Sequence, residues 1–182
     1  MAKKQCLNGE INSKILKTTL YILTNKTLEL YVKKSPYIGR GFLLFLAILI
    51  IGLPIMGMVM NLIDGGAFHF GFLIGLGLCS LISFYLVRLF LWNTYGKEVI
   101  EIGETTVNYY VDYHYFKGNQ QEIAFEELVF DIEQIGFEEE KLGRLIIAAN
   151  EKDFIHSSVN MDLRELEELV AQCFVKFGIK LH

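Results

Sequence analysis

Residues Phe42–Leu62 read FLLFLAILIIGLPIMGMVMNL, a run of 21 residues without a charge. A second apolar run, FGFLIGLGLCSLISFYLVRLFLW at Phe70–Trp92, has 23 residues and one charge, Arg88, near its end. A bilayer core of about 30 Å needs roughly 20 helical residues, each rising about 1.5 Å. Both runs are long enough to cross it. They predict a two-helix transmembrane hairpin over residues 42–92, with spans at 42–62 and 70–92.

Two other interpretations of these runs fit less well. Helices buried in soluble proteins are usually shorter, and surface helices carry a polar face that both runs lack. A cleavable signal peptide has a shorter apolar region and no second span directly after it. The mean hydropathy of +0.35 agrees with a membrane protein, and the 182-residue chain leaves enough residues outside the spans for one small domain.

Charge is distributed unevenly along the chain. Residues 1–92 carry nine Lys and Arg against three Asp and Glu, a formal charge of +6. Residues 93–182 carry eight against 18, a formal charge of −10. The connection between the spans has no Lys or Arg and contains Asp64. The positive-inside rule therefore predicts two spans with both termini in the cytoplasm.

The N-terminal cytoplasmic segment, residues 1–41, contains a strand-forming stretch. Lys14–Val32 is rich in Ile, Leu, Thr and Tyr and has turn residues at Thr24–Lys26, which predicts a β-hairpin over about residues 14–32. Because an isolated hairpin is marginally stable, we expect it to pack on the acidic C-terminal domain. Contact with another protein is the alternative. The candidate domain-docking residues are Lys14, Lys17, Lys26, Lys33 and Lys34.

Small residues recur at every fourth position of the second span. Such a row lets two helix backbones approach closely, and the short connection makes the first span the expected partner. A homodimer contact is the alternative. The predicted helix-packing residues are Gly71, Gly75, Cys79 and Ser83. In the first span Pro54 predicts a kink rather than an ion path, because no intramembrane acid, lysine or histidine accompanies it.

Polar and aromatic residues flank both spans. Tyr and Trp favour the headgroup level of a bilayer, and an Arg near a helix end extends its side chain to the same level. The predicted membrane-interface residues are Tyr37, Arg40, Arg88, Trp92 and Tyr95. These residues are expected to contact lipid headgroups at the ends of the two spans. The lipid bilayer is therefore the first predicted partner.

Residues 93–182 have the pattern of a strand-rich domain. Thr105–Phe116 is dense in β-branched and aromatic residues, and Lys117–Asn119 predicts a hairpin turn after it. Further strands are predicted at Lys97–Ile102, Glu122–Phe125, Leu128–Ile132, Arg144–Ala149 and Asp153–His156. Short strands with turn signals every 8–12 residues indicate an antiparallel sheet or barrel.

An amphipathic helix over about residues 162–177 is predicted to close the domain. Asp162 and Glu165 have the spacing of a capping box, and Gly178 is placed to end the helix. The predicted apolar stripe consists of Leu163, Leu166, Val170, Cys173, Phe174 and Phe177. About six strands followed by one closing helix is the order of a pleckstrin-homology (PH) domain. The predicted fold class is therefore membrane α+β.

The order of elements resembles bacterial membrane proteins with a PH-like domain, and in particular the YcxB-like group, which also places a strand-forming segment before a two-helix hairpin. The resemblance is carried by NTYGKEVIEI (Asn93–Ile102), VNYYVDYHYF (Val107–Phe116), IAFEELVFDIEQI (Ile123–Ile135) and LRELEELVAQCF (Leu163–Phe174). It implies a PH-like antiparallel β-barrel or sheet, over residues 93–182, at the cytoplasmic face of a bacterial inner membrane. A photosystem assembly factor is similarly built, so an assembly role is an expectation by analogy.

No catalytic or cofactor motif accompanies this architecture. The four histidines are scattered, the sequence has no HExxH, Cys–His or CxxC spacing, and neither GxSxG nor GxxxxGK[ST] occurs. We therefore expect no enzyme activity, no metal and no cofactor. The acidic domain disfavours nucleic acid and phosphoinositide as partners, since both require basic surfaces.

Three functions fit these observations. The first is a membrane-anchored PH-like interaction module, with a scaffold, regulatory or assembly role, that binds a protein partner or its own copies. The second is a lipid- or small-ligand-binding membrane module, which would need a cavity lined by tyrosines. The third is an accessory subunit of a membrane transporter or enzyme. The first function requires the least that the sequence does not show, and it is therefore the function that we predict.

Overall fold

A computed structural model describes residues 20–150, 153–177 and 180–181. The chain forms two compact units. One is Lys34–Tyr95, and the other combines Met1–Lys33 with Gly96–His182. The fold is α+β, with two long apolar helices in the first unit and two sheets plus a C-terminal helix in the second.

The first unit is a helical hairpin. Helix α1 spans Tyr37–Ile63 and contains Pro54, and helix α2 spans Phe70–Tyr95. Both helices extend beyond the apolar runs, at the N-terminal end of α1 and the C-terminal end of α2. Only 6% of the most apolar 18-residue window of each helix is buried inside the structure. The two helices therefore present apolar side chains on most of their surface.

The second unit begins with sheet A, whose five strands pair in chain order. They are β1 (Tyr21–Leu23), β2 (Thr27–Tyr31), β3 (Lys97–Ile102), β4 (Thr106–Asp112) and β5 (Lys117–Ala124). All four pairings are antiparallel. Strand β2 pairs with β3 over its full length, so the expected packing of the N-terminal hairpin on the C-terminal domain is confirmed for residues 20–33. Residues 14–19 of the predicted hairpin lie outside the described residues.

The β4–β5 turn lies earlier in the chain than the sequence predicts. It comprises Tyr113–Phe116, where the Tyr113 amide donates to the Phe116 carbonyl oxygen over 3.0 Å. The predicted turn at Lys117–Asn119 is wrong, because those residues belong to β5. Gly118 and Asn119 lie instead at a β-bulge, where the strand register shifts between Tyr109 and Val111. At this bulge Asn119 has a φ of 50°.

Sheet B contains the remaining strands. They are β6 (Val129–Ile135), β7 (Leu142–Ala148), β8 (Phe154–His156), β9 (Met161–Asp162) and β10 (Lys180–Leu181). Strand β7 pairs antiparallel with β6, β8 and β9, while β10 pairs parallel with β6. Glu138–Glu140 form a 3₁₀ turn between β6 and β7. Within the described residues no strand pairing joins sheets A and B, so of the two expected forms, a barrel or a sheet, the closed barrel is not formed.

Helix α3, Leu163–Phe177, packs on sheet B. The Asp162 carboxylate caps its first turn by accepting from the Arg164 amide over 2.9 Å. The buried residues are Leu166, Leu169, Val170 and Cys173. Leu169 thus joins the predicted stripe, whereas Phe174 is exposed, because the covered face is centred on the 166–169–173 row.

Helix α3 packs closely on β7 at Gly143. A Cβ at Gly143 would lie 2.8 Å from Leu163 Cδ2 and 3.0 Å from Leu166 Cδ1. At the other side α3 reaches sheet A, where the Gln172 amide donates to the Tyr21 hydroxyl over 3.2 Å. The helix therefore packs on sheet B and hydrogen-bonds to β1 of sheet A.

Candidate functional sites

A buried carboxylate, Glu98 of β3, lies at the centre of the domain core. Its side chain is fully buried and shares the inner face of sheet A with Leu30 and Val111, its cross-strand neighbours. Oε1 accepts hydrogen bonds from the Tyr109 hydroxyl at 2.8 Å and from the Ser158 amide at 2.7 Å. Oε2 accepts from the Ser157 hydroxyl at 2.5 Å. Three donors thus satisfy a carboxylate that burial would otherwise destabilise.

The Glu98 network joins the two sheets. Glu98 and Tyr109 belong to neighbouring strands of sheet A, whereas Ser157 follows β8 of sheet B and donates its amide to the Leu145 carbonyl of β7. The Ser157 hydroxyl also accepts from the Val159 amide over 3.1 Å. The carboxylate therefore holds the segment after β8 against sheet A.

The chemistry of this network is structural. Burial first, and the neighbouring Glu98 carboxylate second, raise the pKa of Tyr109 well above its usual range, so its hydroxyl keeps the proton that it donates. Ser157 is buried, and its hydroxyl is engaged both as donor and as acceptor. In this conformation no substrate can reach the serine or the carboxylate. We assign the network to fixing the arrangement of the sheets.

Sequence reasoning missed this network. The pattern of Lys97–Ile102 predicts only a strand. The alternation of the strand does carry one signal, since it places Glu98 on the same face as Ile100 and Ile102. A charge in an apolar row requires a partner, but the donors lie up to 60 residues away.

A row of charged side chains also lies on the outer face of sheet A. Lys97 Nζ lies 3.1 Å from Glu29 Oε1 and 3.9 Å from Asp112 Oδ2, and the Tyr31 hydroxyl donates to Glu29 Oε2 over 2.6 Å. Burial, followed by the hydrogen bond to Glu29, raises the pKa of Tyr31 to about 12. This row ties the N-terminal hairpin to β3 and β4.

The outer face of sheet B combines apolar and charged side chains. Arg144 Nε donates to Glu133 Oε2 over 2.5 Å, and His156 Nδ1 lies 3.7 Å from the same oxygen. The hydrogen bond from Arg144 is the main cause that lowers the pKa of Glu133. Around this triad the register places Asp131 and a set of apolar residues, namely Val129, Ile135, Leu142, Ile146, Ala148 and Phe154. We refer to these ten residues as the sheet B outer face.

Contact between the apolar helices occurs at Ser83 rather than at the predicted glycines. The Ser83 hydroxyl is buried and donates to the Ala47 carbonyl of α1 over 2.9 Å. A Cβ added at Gly71 or Gly75 would meet no atom of another segment within 4 Å. Cys79 is half-buried. The structure therefore brings one member of the predicted row into a close contact, and the two glycines lie in open space.

The predicted membrane-interface residues lie near the termini of the two helices. Tyr37 is the first residue of α1 and Tyr95 the last of α2, and both are exposed. Arg40 is buried, with its guanidinium carbon 4.4 Å from the centre of the Tyr37 ring, and its Nε has no hydrogen-bond partner. Arg88 and Trp92 are half-buried in the last two turns of α2.

The candidate docking lysines do not form the contact that attaches the hairpin. Lys14 and Lys17 lie outside the described residues, and the side chains of Lys26, Lys33 and Lys34 are exposed. Attachment depends instead on the β2–β3 ladder and on buried Leu28 and Leu30. An ion pair does join the hairpin to the domain, but with the charges reversed. The hairpin supplies the acid, Glu29, and the domain supplies the base, Lys97.

Comparisons of the chain with protein-family models, with curated proteins and with solved structures found no match. The resemblance to YcxB-like proteins thus stays a prediction that depends on the order of elements. Among the described residues, no three His, Cys, Asp or Glu side chains are arranged to hold a metal ion.

Proposed function

We propose that this protein is a membrane-anchored interaction module, whose α1–α2 hairpin crosses the bilayer and whose PH-like domain binds a protein partner or another copy of itself. The observation that carries the proposal is the exposure of the two helices. A core helix of a soluble protein is mostly covered by its own chain, whereas 6% of the apolar window is buried in each helix here. Lipid would cover the remainder at no cost to backbone hydrogen bonding.

The charge pattern supports a cytoplasmic location for both termini and the domain. Lys33, Lys34 and Arg40 lie at the start of α1, and Arg88 and Lys97 lie at the end of α2, whereas Asp64 is the charged residue of the connection. By the positive-inside rule this end of the hairpin faces the cytoplasm. In a bacterium the membrane would be the inner membrane.

The domain offers a surface suited to a protein partner. Two sheets joined through Glu98, with a C-terminal helix packed on sheet B, support a PH-like arrangement, in which the outer faces would be available for binding. The sheet B outer face exposes Phe154 at 48%, next to half-buried Ile146 and the Glu133–Arg144 pair. Aromatic residues and arginine are enriched at protein–protein interfaces, and Phe154 and Arg144 supply both types on this face. We therefore assign binding to this face.

The experiment compares full-length variants reconstituted in lipid nanodiscs. Ile146→Glu places a charge in the middle of the sheet B outer face, and Val175→Glu makes the matched apolar-to-acid change on α3, where the side chain is 84% exposed. We expect Ile146→Glu to abolish co-purification of the stoichiometric partner, or self-association measured by native mass spectrometry, and Val175→Glu to preserve it.

Circular dichroism establishes that both variants fold. A wild-type protein that is monomeric and purifies without a stoichiometric protein partner would contradict the proposal. Equal loss of binding in the two folded variants would remove the assignment to the sheet B outer face.

A further inference from the structure

The β4–β5 turn displays an aromatic side chain from a rigid support. Tyr115 is 72% exposed at its tip. Tyr113 is buried and stacks on Phe116, with ring centres 4.7 Å apart, and the His114 amide donates to the Asp112 carboxylate over 2.7 Å. His114 has a φ of 78°, a left-handed conformation that closes the turn. These contacts fix the backbone, and the Tyr115 ring lies edge-on to the His114 ring, with ring centres 5.0 Å apart, while most of its surface is exposed.

The turn lies at the end of sheet A where the chain leaves for the apolar helices and returns. The Val32 amide donates to the Gly96 carbonyl over 3.2 Å, and these residues precede and follow the helical hairpin. The register aligns Tyr31, Lys97 and Asp112 in one cross-strand row at this end. With strands about 4.8 Å apart, the turn after Asp112 is roughly 5–10 Å from the β3 backbone.

The opposite end of sheet A provides a natural reference. The β1–β2 turn, Thr24–Lys26, lies at the far end of the same strands, and its residues are exposed. Strand β2 has five residues, which at about 3.3 Å each separates the two ends by roughly 17 Å. A side chain at one end of the sheet is too short to reach the other end.

We propose that the Tyr113–Phe116 turn is a second membrane contact, in which Tyr115 enters the headgroup region of the bilayer that α1 and α2 cross. This inference rests on the proposed membrane anchoring. A tyrosine combines an apolar ring with a polar hydroxyl, which suits the boundary between acyl chains and headgroups. Gly96 follows α2 directly in the chain and precedes β3, so the turn belongs to the end of sheet A that the chain joins to the proposed anchor.

Tryptophan fluorescence tests the proposal, because the chain contains a single tryptophan. In a Trp92→Phe background, full-length protein in nanodiscs receives one new tryptophan at a time, as Tyr115→Trp, Asn25→Trp or Leu81→Trp. Asn25 is the matched site at the far end of sheet A, and Leu81 is an exposed residue of α2. Lipids brominated near the headgroup or along the acyl chain act as quenchers, and iodide reports access from water.

We expect the tryptophan at position 115 to lose intensity with headgroup-proximal brominated lipid and to emit at shorter wavelength than the one at position 25. Lipid quenching at position 81 together with iodide quenching at both 115 and 25 would overturn the turn contact while leaving the membrane anchor intact. An absence of lipid quenching at position 81 would overturn the proposed anchoring, and this inference with it. Exchanging Tyr115 leaves the stacked Tyr113–Phe116 pair in place, so the fold is retained.

Discussion

Removal of the Glu98 carboxylate should loosen the contact between the two sheets. In Glu98→Ala, the buried hydroxyls of Tyr109 and Ser157 and the part-buried amide of Ser158 lose their acceptor. An unsatisfied buried donor costs about 1–3 kcal/mol. The Ser157 hydroxyl can turn towards the Val159 carbonyl at 3.5 Å, so two donors remain without a partner. We therefore expect a loss of about 3–5 kcal/mol in the free energy of unfolding of the domain, a large part of the roughly 5–15 kcal/mol typical of a domain.

Hydrogen exchange measured by mass spectrometry on the detergent-solubilised protein locates this loss. Protection should fall in β3, β4 and the segment after β8, because the network joins these three segments. Glu101→Ala is the matched control, since Glu101 lies on the same strand but is exposed, where it accepts from the Tyr110 hydroxyl over 3.1 Å. An exposed contact of this kind is worth under about 1 kcal/mol. Equal protection in the two variants would refute the structural role of the network.

Three further outcomes follow from the described contacts. Ser83→Leu should destabilise the solubilised protein by about 1–3 kcal/mol in a thermal scan, because it overpacks a buried contact, whereas Gly75→Leu should change little; the reverse order would restore the glycine row as the contact. The pKa of Tyr31 is raised from 10.0 to about 12, so its contribution to stability is complete below pH 10 and is lost as pH rises towards 12. Tyr31→Phe should flatten stability over that interval, and an unchanged slope would exclude the effect. Burial raises the pKa of the Cys173 thiol to about 12, so a maleimide at pH 8 should modify Cys173 only after unfolding; rapid modification of the folded protein would contradict the buried position.

The elements that depend on local pattern could be predicted from the sequence. The two apolar helices appear where their long apolar runs place them, and the N-terminal hairpin and α3 appear where apolar residues repeat at a fixed interval. The β4–β5 turn could not be located in this way. Lys117–Asn119 has the residue types of a hairpin turn, but a bulge uses the same positive-φ conformations, and the stacking of Tyr113 on Phe116 decides between them.

The sites depend on contacts that no local pattern contains. Glu98 meets Ser157 across 59 positions of the chain, and the choice of donor depends on how the two sheets face each other. The small-residue row of α2 likewise gives the spacing of a contact but not the rotation of the helix. Ser83 faces Ala47, whereas Gly75 of the same row lies in open space, because a row at intervals of four drifts around a 3.6-residue helix.

Cysteine labelling in intact cells tests the membrane anchoring most directly. In a background with Cys6, Cys79 and Cys173 replaced by serine, Asp64→Cys probes the helix connection and Gln120→Cys probes an exposed position of β5. We predict that a membrane-impermeant maleimide labels position 64 in intact cells and position 120 only after lysis. Labelling of position 120 from outside, or of neither position before lysis, would contradict a two-span anchor with a cytoplasmic domain.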